Sequence, residues 1–344
     1  MRAVLFEEFG VTPQIVDVPV PRCPPTGAVV RVRATGVCRS DWHAWRGHDA
    51  TVHTPHVPGH EFAGTIESVG AQVTGFHPGD RVTAPFVYAC GRCAQCRAGD
   101  QQVCTRQEQP GFTMWGSFAE LVVVVEADLN LVALPDTIEY AEAAALGCRF
   151  ATAYRAVASR AAVAAGEWVA VHGCGGVGLS AIVVARAAGA RVVAVDVSAD
   201  ALAAAERLGA VTVHAGQGTA DDIRQITDGG AHVSLDAFGS QATCLASIAS
   251  LRPRGRHVQV GLLLGDDAMP ALPMGDVTTK ELDILGSHGM AAHEYPAMLA
   301  AIADGRLSPA LTLGRRIGFD ELGEALAAMS APASSAGMTV AVWD

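Results

Sequence analysis

Residues 168–188 constrain this chain more than any other stretch. Trp168-Val169-Ala170-Val171-His172 is a buried-strand pattern, Gly173-Cys174-Gly175-Gly176-Val177-Gly178 follows at once, and an apolar helical run fills 179–188. A G-x-G-x-x-G turn is weak as a bare pattern but specific when it joins a strand to a helix. Its glycines permit the tight turn, let backbone approach a pyrophosphate and seat the helix close on the strand. The helix N-terminus then faces the phosphate charge. Gly173, Gly175, Gly176, Val177 and Gly178 are therefore expected cofactor contacts. Cys174 reads as small filler in the loop, with redox sensing as the alternative.

The next strand, 191–196, ends in Asp196, 23 positions after Gly173. A carboxylate at that place accepts hydrogen bonds from a ribose 2′-hydroxyl and repels a 2′-phosphate, which favours NAD over NADP. Arg191 opens the strand at its far end and does not change this. Asp196 also suits a cap for a helix starting near Ser198, and the two roles are compatible.

At 344 residues the chain has room for about two domains. From about 152 onward, Ala-rich helical stretches alternate with short apolar strands at 168–172, 191–197, 211–214, 232–237, 256–263 and 282–286. That alternation predicts a parallel sheet with crossover helices. Residues 290–329 read mostly helical, and 339–343 as a last strand. Residues 1–150 differ: β-branched runs at 29–34, 64–69 and 121–125 are separated by turn signals such as Pro58-Gly59 and Pro78-Gly79-Asp80. This half is expected to be an all-β, barrel-like domain.

The chain has nine cysteines, an odd number that argues against a disulfide framework. Cys90, Cys93, Cys96 and Cys104 spell C-x2-C-x2-C-x7-C. Four thiolates so spaced can close a tetrahedron around zinc and leave no open position, which marks a structural site. An iron–sulfur cluster also takes four cysteines, and unrelated buried thiols are the other alternative. Zinc is the preferred reading.

A second constellation is scattered. Cys38-Arg39-Ser40-Asp41-Trp42-His43 is followed by Gly59-His60-Glu61, and later by Gly147-Cys148-Arg149-Phe150-Ala151-Thr152. Each piece alone is weak, since a lone cysteine is usually core filler. Together they offer two thiolates, one imidazole and a nearby carboxylate. Three protein ligands with a fourth position left open suit a catalytic zinc.

In these motifs, their order and their spacing, the chain resembles the zinc-dependent alcohol dehydrogenases of the medium-chain dehydrogenase/reductase superfamily over essentially its full length. The resemblance implies an α/β protein in two parts. A GroES-like β-barrel catalytic domain would cover 1–150 and 290–344, and a Rossmann doubly wound parallel sheet would bind the cofactor over 151–289. It implies Cys38, His60 and Cys148 as catalytic zinc ligands, with Glu61 a carboxylate behind the metal that approaches it transiently. Asp41 matches the acid that orients the histidine ligand. A ligand imidazole does need its other nitrogen fixed.

Ser40 and His43 match a proton relay to solvent, for which a near-neutral imidazole is suited. The plainer alternative is that both merely cap a helix beginning near Asp41. By the same resemblance, Arg39 contacts the cofactor pyrophosphate, Thr152 packs on the nicotinamide, and Leu262 meets its amide through backbone. Two zinc ions per chain and NAD follow as cofactors, with reversible hydride transfer between an alcohol and an aldehyde or ketone as the reaction. One departure stands out. Many relatives carry an arginine near the C-terminus that touches the pyrophosphate, whereas this chain reads Ala336-Gly337-Met338-Thr339-Val340. With Met338 in that place one phosphate contact is missing and NAD binds more weakly.

Phe86 matches a position lining the alcohol pocket, and Trp115 is a second candidate, with Trp45 weaker. His48, His53 and His56 read as loop residues near the substrate entrance. A polyol or sugar dehydrogenase of the same superfamily is the rival enzyme. Cys148 in place of glutamate and the four-cysteine lobe both argue against it. A non-catalytic nucleotide-binding relative would have lost a ligand, and none is lost.

Net charge is −11 and Lys280 is the only lysine, so no basic stripe for nucleic acid or anionic lipid exists. No run of about 18 apolar residues suggests a membrane span. The N-terminal Met1-Arg2-Ala3-Val4-Leu5-Phe6-Glu7-Glu8 meets acid at once and lacks a signal-peptide core, so the expected location is cytoplasmic. The resemblance to bacterial members implies a homotetramer, with a dimer as the alternative. The edge strand near 282–289 is a plausible pairing surface.

Overall fold

The computed structural model describes residues 1–331 and 336–344. Strand Ala28–Val37 organises the first half. Its β-branched, nearly continuous apolar run is buried on both faces, so it sits mid-sheet rather than at an edge. In a seven-stranded sheet the order is Leu313–Ile317, Met338–Val342, Ala28–Val37, Phe62–Val69, Arg81–Thr83 and Val132–Ala133, with Leu121–Val124 also pairing Ala28–Val37. Val30, Val32, Phe62, Ile66, Val82, Val122 and Tyr88 fill the space this curled sheet encloses. A hairpin, Arg2–Leu5 with Gln14–Asp17, lies alongside.

The second half is a six-stranded parallel sheet ordered Val211–His214, Arg191–Asp196, Trp168–His172, Ala231–Asp236, Leu251–Gln259 and Asp283–Gly286. From Trp168–His172 the chain winds outward to one edge, then returns to the other side of that same strand. That reversal opens a crevice at the C-terminal ends of the strands, where ligands of such sheets bind. The glycine turn 173–178 lies there. Gly173 has φ 92°, and a side chain at Gly178 would collide with the Gly173 carbonyl, so the helix Gly176–Ala187 starts as close to the strand as glycine allows.

The stretch 290–329 is mostly helical, as expected, with one strand inside it. Leu313–Ile317 is a strand, parallel to Met338–Val342 and coupled to it at Arg316–Val340 and Ile317–Ala341. Its two arginines face outward, so the apolar pattern is too short to register as a strand. The strand expected at 256–263 instead spans Leu251–Gln259, and it stops where Gly261 packs against the backbone of Gly239. The edge position expected near 282–289 is occupied by Asp283–Gly286.

Candidate active site

Strand Ala28–Val37 delivers Cys38 to the N-cap of helix Arg39–Trp45. The Cys38 amide donates to Asp41 Oδ2 at 2.9 Å. The other carboxylate oxygen of Asp41 accepts from the Gly59 amide at 3.1 Å and pairs with His60 Nδ1 at 2.7 Å. One fully buried carboxylate thus fixes the backbone before His60, the backbone at Cys38 and the imidazole ring. With Nδ1 engaged, His60 Nε2 is buried without a hydrogen-bond partner among the described residues. An orphaned acceptor of that kind, aimed at two thiols, is what a metal ligand looks like before its metal.

Cys148 stands at the N-cap of helix Arg149–Arg155. Ligand atoms of Cys38, His60, Glu61 and Cys148 all lie within 4.8 Å of one another. A hydrogen bond from Cys148, helped by the charge of Arg149 against the opposing effect of burial, holds the Cys38 thiol well below its ordinary range. Two sulfurs and one imidazole are the donor set of zinc, so the residues present fit that metal.

The structure also places a residue beside the group that the sequence did not single out. Arg149 is buried, and its guanidinium clasps Glu61: Nε donates to Oε1 at 2.9 Å and Oε2 at 3.0 Å, Nη2 donates to Oε2, and the Arg149 amide donates to Oε1 at 3.0 Å. Burial alone would lower the guanidinium pKa, but the Glu61 and Cys38 charges outweigh it and raise the value. The signal was a charged residue inside the Ala-rich run after Cys148, which a buried helix tolerates only with a partner.

Cys90, Cys93, Cys96 and Cys104 also converge within 4.8 Å. Asn130 anchors the base of this lobe, its side chain accepting from the Ala89 amide at 2.8 Å and donating to the Ala89 carbonyl at 3.1 Å. The Arg92 and Cys96 amides lower the Cys90 thiol to about 7 and the Cys93 thiol to about 5. Such thiols give up their protons readily to a metal. Four sulfurs in a closed shell fit zinc with no position left over.

Around the glycine turn, Asp196 accepts from the Cys174 amide at 2.7 Å and the Ser198 amide at 2.8 Å, which pins its carboxylate at the strand end. Ser198 itself caps the helix Ala199–Arg207. Burial pushes the Cys174 thiol up to about 12, so it is inert filler. Thr152 is buried with Oγ1 unpartnered among the described residues. Leu262 is exposed and lines a cavity of about 620 Å³ together with Gln102, Arg155, Val260 and His288. Met338 lies against Gly176, its Cγ 3.0 Å from where a Cβ on that glycine would be.

Ser40 and His43 share one face of helix Arg39–Trp45, but no direct hydrogen bond joins them among the described residues. His43 Nδ1 faces His48 Nδ1 at 3.0 Å. Burial, then the His48 and Arg39 charges, lower the His43 pKa. The helix is capped by Asp41 rather than by Ser40 or His43. Arg39 donates to the Met329 carbonyl at 2.6 Å and lies over the Trp42 ring.

Phe86 sits edge-on to His60, with ring centroids 6.1 Å apart, and edge-on to His288 at 5.1 Å. It therefore borders the thiolate–imidazole group. Trp115 is 39% exposed. Its indole donates to the Pro55 carbonyl and it lines a separate cavity of about 260 Å³ with Met1, Pro19, Val20 and Leu121. The Gly116 backbone packs closely on Gly59. Trp45 is core, its indole bonded to the Val11 carbonyl. His56 is buried against Phe6.

Residues 24–136 match the model of the alcohol dehydrogenase GroES-like domain, and residues 176–304 match that of zinc-binding dehydrogenase. An alcohol dehydrogenase of Rhizobium meliloti (strain 1021) is 36% identical over 83% of this chain and 84% of its own. An NAD-dependent alcohol dehydrogenase of Sulfurisphaera tokodaii is 31% identical over 95% of each chain. Among solved structures, alcohol dehydrogenase TADH from Thermus sp. ATN1 superposes with a TM-score of 0.91 at 32% identity, covering 99% of both chains.

Proposed function

Because the chain belongs to the zinc-dependent alcohol dehydrogenases of the medium-chain dehydrogenase/reductase superfamily, we propose that it transfers hydride reversibly between a small alcohol and NAD at the Cys38–His60–Cys148 group. The observation that carries this reading is the convergence of those three ligands on the unpartnered His60 Nε2. Helix Arg149–Arg155, which starts at Cys148, packs on the helix of the glycine turn. When bound, zinc supplies a Lewis acid for the alcohol or carbonyl oxygen, and NAD supplies the hydride acceptor.

The chain's own residues do the rest. Cys38, His60 and Cys148 would hold the catalytic zinc, and Asp41 keeps His60 in the tautomer that leaves Nε2 free. Glu61, whose carboxylate lies within 4.8 Å of those ligand atoms, would stand behind that metal. Cys90, Cys93, Cys96 and Cys104 would hold a second, structural zinc. Backbone amides of Gly173, Gly175, Gly176, Val177 and Gly178 receive the pyrophosphate, assisted by Arg39. Asp196 receives the ribose hydroxyls and selects NAD over NADP. Thr152 packs on the nicotinamide, and Leu262 meets its amide through backbone. Phe86 shapes the alcohol pocket. Ser40 and His43 carry the proton outward across a gap that a bridging hydroxyl or water must span.

The catalytic domain comprises 1–150 and 290–344 and the cofactor domain 151–289. We place the protein in the cytoplasm. No helix among the described residues is long and apolar enough to cross a membrane. The exposed edge strand Asp283–Gly286 supports assembly as a homotetramer, with a dimer as the alternative.

The test is an initial-rate screen pairing NAD and NADP with straight-chain, benzylic, secondary and polyol alcohols, with and without a zinc chelator. Chelator-sensitive NAD reduction by simple alcohols is expected. No turnover by protein that carries zinc would overturn the reading.

A further inference from the structure

Arg149 lies between two sites that the sequence treats separately. On one side its Nε and Nη2 hold Glu61, whose carboxylate lies within 4.8 Å of the thiol and imidazole ligand atoms. On the other it reaches the first turn of helix Gly176–Ala187. A Cβ added at Gly176 would lie 2.6 Å from Arg149 Cδ and 3.3 Å from Nη1. A Cβ at Gly36 would meet both Glu61 and Arg149 Nη2, so small residues on both sides cradle the guanidinium. Nη1 donates no hydrogen bond to any described residue, although Arg149 is only 7% exposed. It is not among the fully buried unpartnered atoms either, so this donor edge keeps an opening through which a ligand can reach it. Met338, packed on the same glycine, is apolar and supplies no donor.

Resting on the reading that this glycine turn holds a dinucleotide, we propose that Arg149 donates from Nη1 to the cofactor's diphosphate while its other edge holds Glu61. The cation absent at Met338 is thereby supplied from the helix that follows a metal ligand. The arrangement also couples the two sites. A diphosphate that fixes Arg149 fixes Glu61, so cofactor occupancy and metal retention strengthen each other.

Two variants test this. Arg149→Lys keeps a positive charge against Glu61 but cannot serve both edges. The double variant Glu61→Gln/Arg149→Gln leaves no unpaired buried charge. For each, dissociation constants of NADH, ADP-ribose and adenosine are measured beside the rate of zinc transfer to a chelator, with circular dichroism to verify folding. Losing a hydrogen bond to a charged group predicts that NADH and ADP-ribose weaken by about tenfold to a hundredfold. Adenosine, which lacks the diphosphate, should be unchanged. ADP-ribose should slow zinc loss in the unaltered protein and fail to do so in Arg149→Lys.

Unchanged ADP-ribose affinity in a folded variant would overturn the proposal, and so would an equal loss for adenosine. If the unaltered protein binds none of the three probes, the nucleotide reading itself falls, and this proposal with it.

Discussion

Replacing Asp41 by asparagine changes almost no volume and removes one acceptor. In the structure the two carboxylate oxygens serve three donors: the Cys38 amide at 2.9 Å, the Gly59 amide at 3.1 Å and His60 Nδ1 at 2.7 Å. Asparagine offers one oxygen and one NH2. If the oxygen keeps Gly59 and His60, the NH2 confronts the Cys38 amide, donor against donor. If it turns the other way, both the imidazole and Gly59 lose their acceptor. Either orientation strands at least one buried donor, a cost of about 1–3 kcal/mol in stability. Weakening the hold on a ligand imidazole also lowers metal affinity by about tenfold to a hundredfold.

The assay is zinc transfer to a chromogenic chelator, followed over time with the fold checked by circular dichroism. Asp41→Asn should release one zinc per chain about ten to a hundred times faster and leave the other at its original rate. Equal release of both ions at unchanged rates would refute the argument that Asp41 holds the His60 site. So would accelerated loss from the four-cysteine lobe alone.

Cys148→Ala should remove one zinc per chain and nearly all turnover while the four-cysteine lobe keeps its own. Retained turnover with a single zinc would sink the ligand assignment. Asp196→Ala should narrow the preference for NAD over NADP, measured as the ratio of kcat/KM values, and an unchanged ratio would refute the ribose contact. Burial, then the His257 charge, lowers the His172 pKa to about 3, below the unfolded value of about 6.5. Its contribution to stability is complete above the unfolded value and shrinks as pH falls, by about 2 kcal/mol at pH 5, until the folded value is passed. His172→Gln should therefore show a shallower acid decline of its unfolding midpoint, and identical pH profiles would contradict this.

What was legible in the sequence was whatever is local. Cys90 to Cys104 and Gly173 to Gly178 are contiguous motifs, and each assembles as its spacing implied. Cys38, His60 and Cys148 are far apart in sequence but are recognisable through their neighbours. Arg149 was missed because its role depends on Glu61, 88 positions earlier, and on Gly176 in the other sheet's helix. Neither distance is written into a local pattern. Trp115 was less legible because a lone aromatic carries no spacing to say which cavity it borders, here one with Met1, Pro19 and Leu121. The strand Leu313–Ile317 escaped because its partner is Met338–Val342, itself a late arrival to the sheet.

That last pairing has a consequence for how the molecule is made. Strand Met338–Val342 lies antiparallel to Ala28–Val37 at Thr339–Val37, one residue before Cys38. On the ribosome the four-cysteine lobe can close as soon as its short segment emerges, and the parallel sheet can condense behind it. The strand that carries Cys38 must wait for some three hundred further residues before its flank is covered (about 15–60 s at ordinary elongation rates). Until then it presents an open edge to any other nascent chain. The strand that leads into Cys38 therefore gains its last neighbour only when the end of the chain arrives, later than the contiguous four-cysteine segment can close.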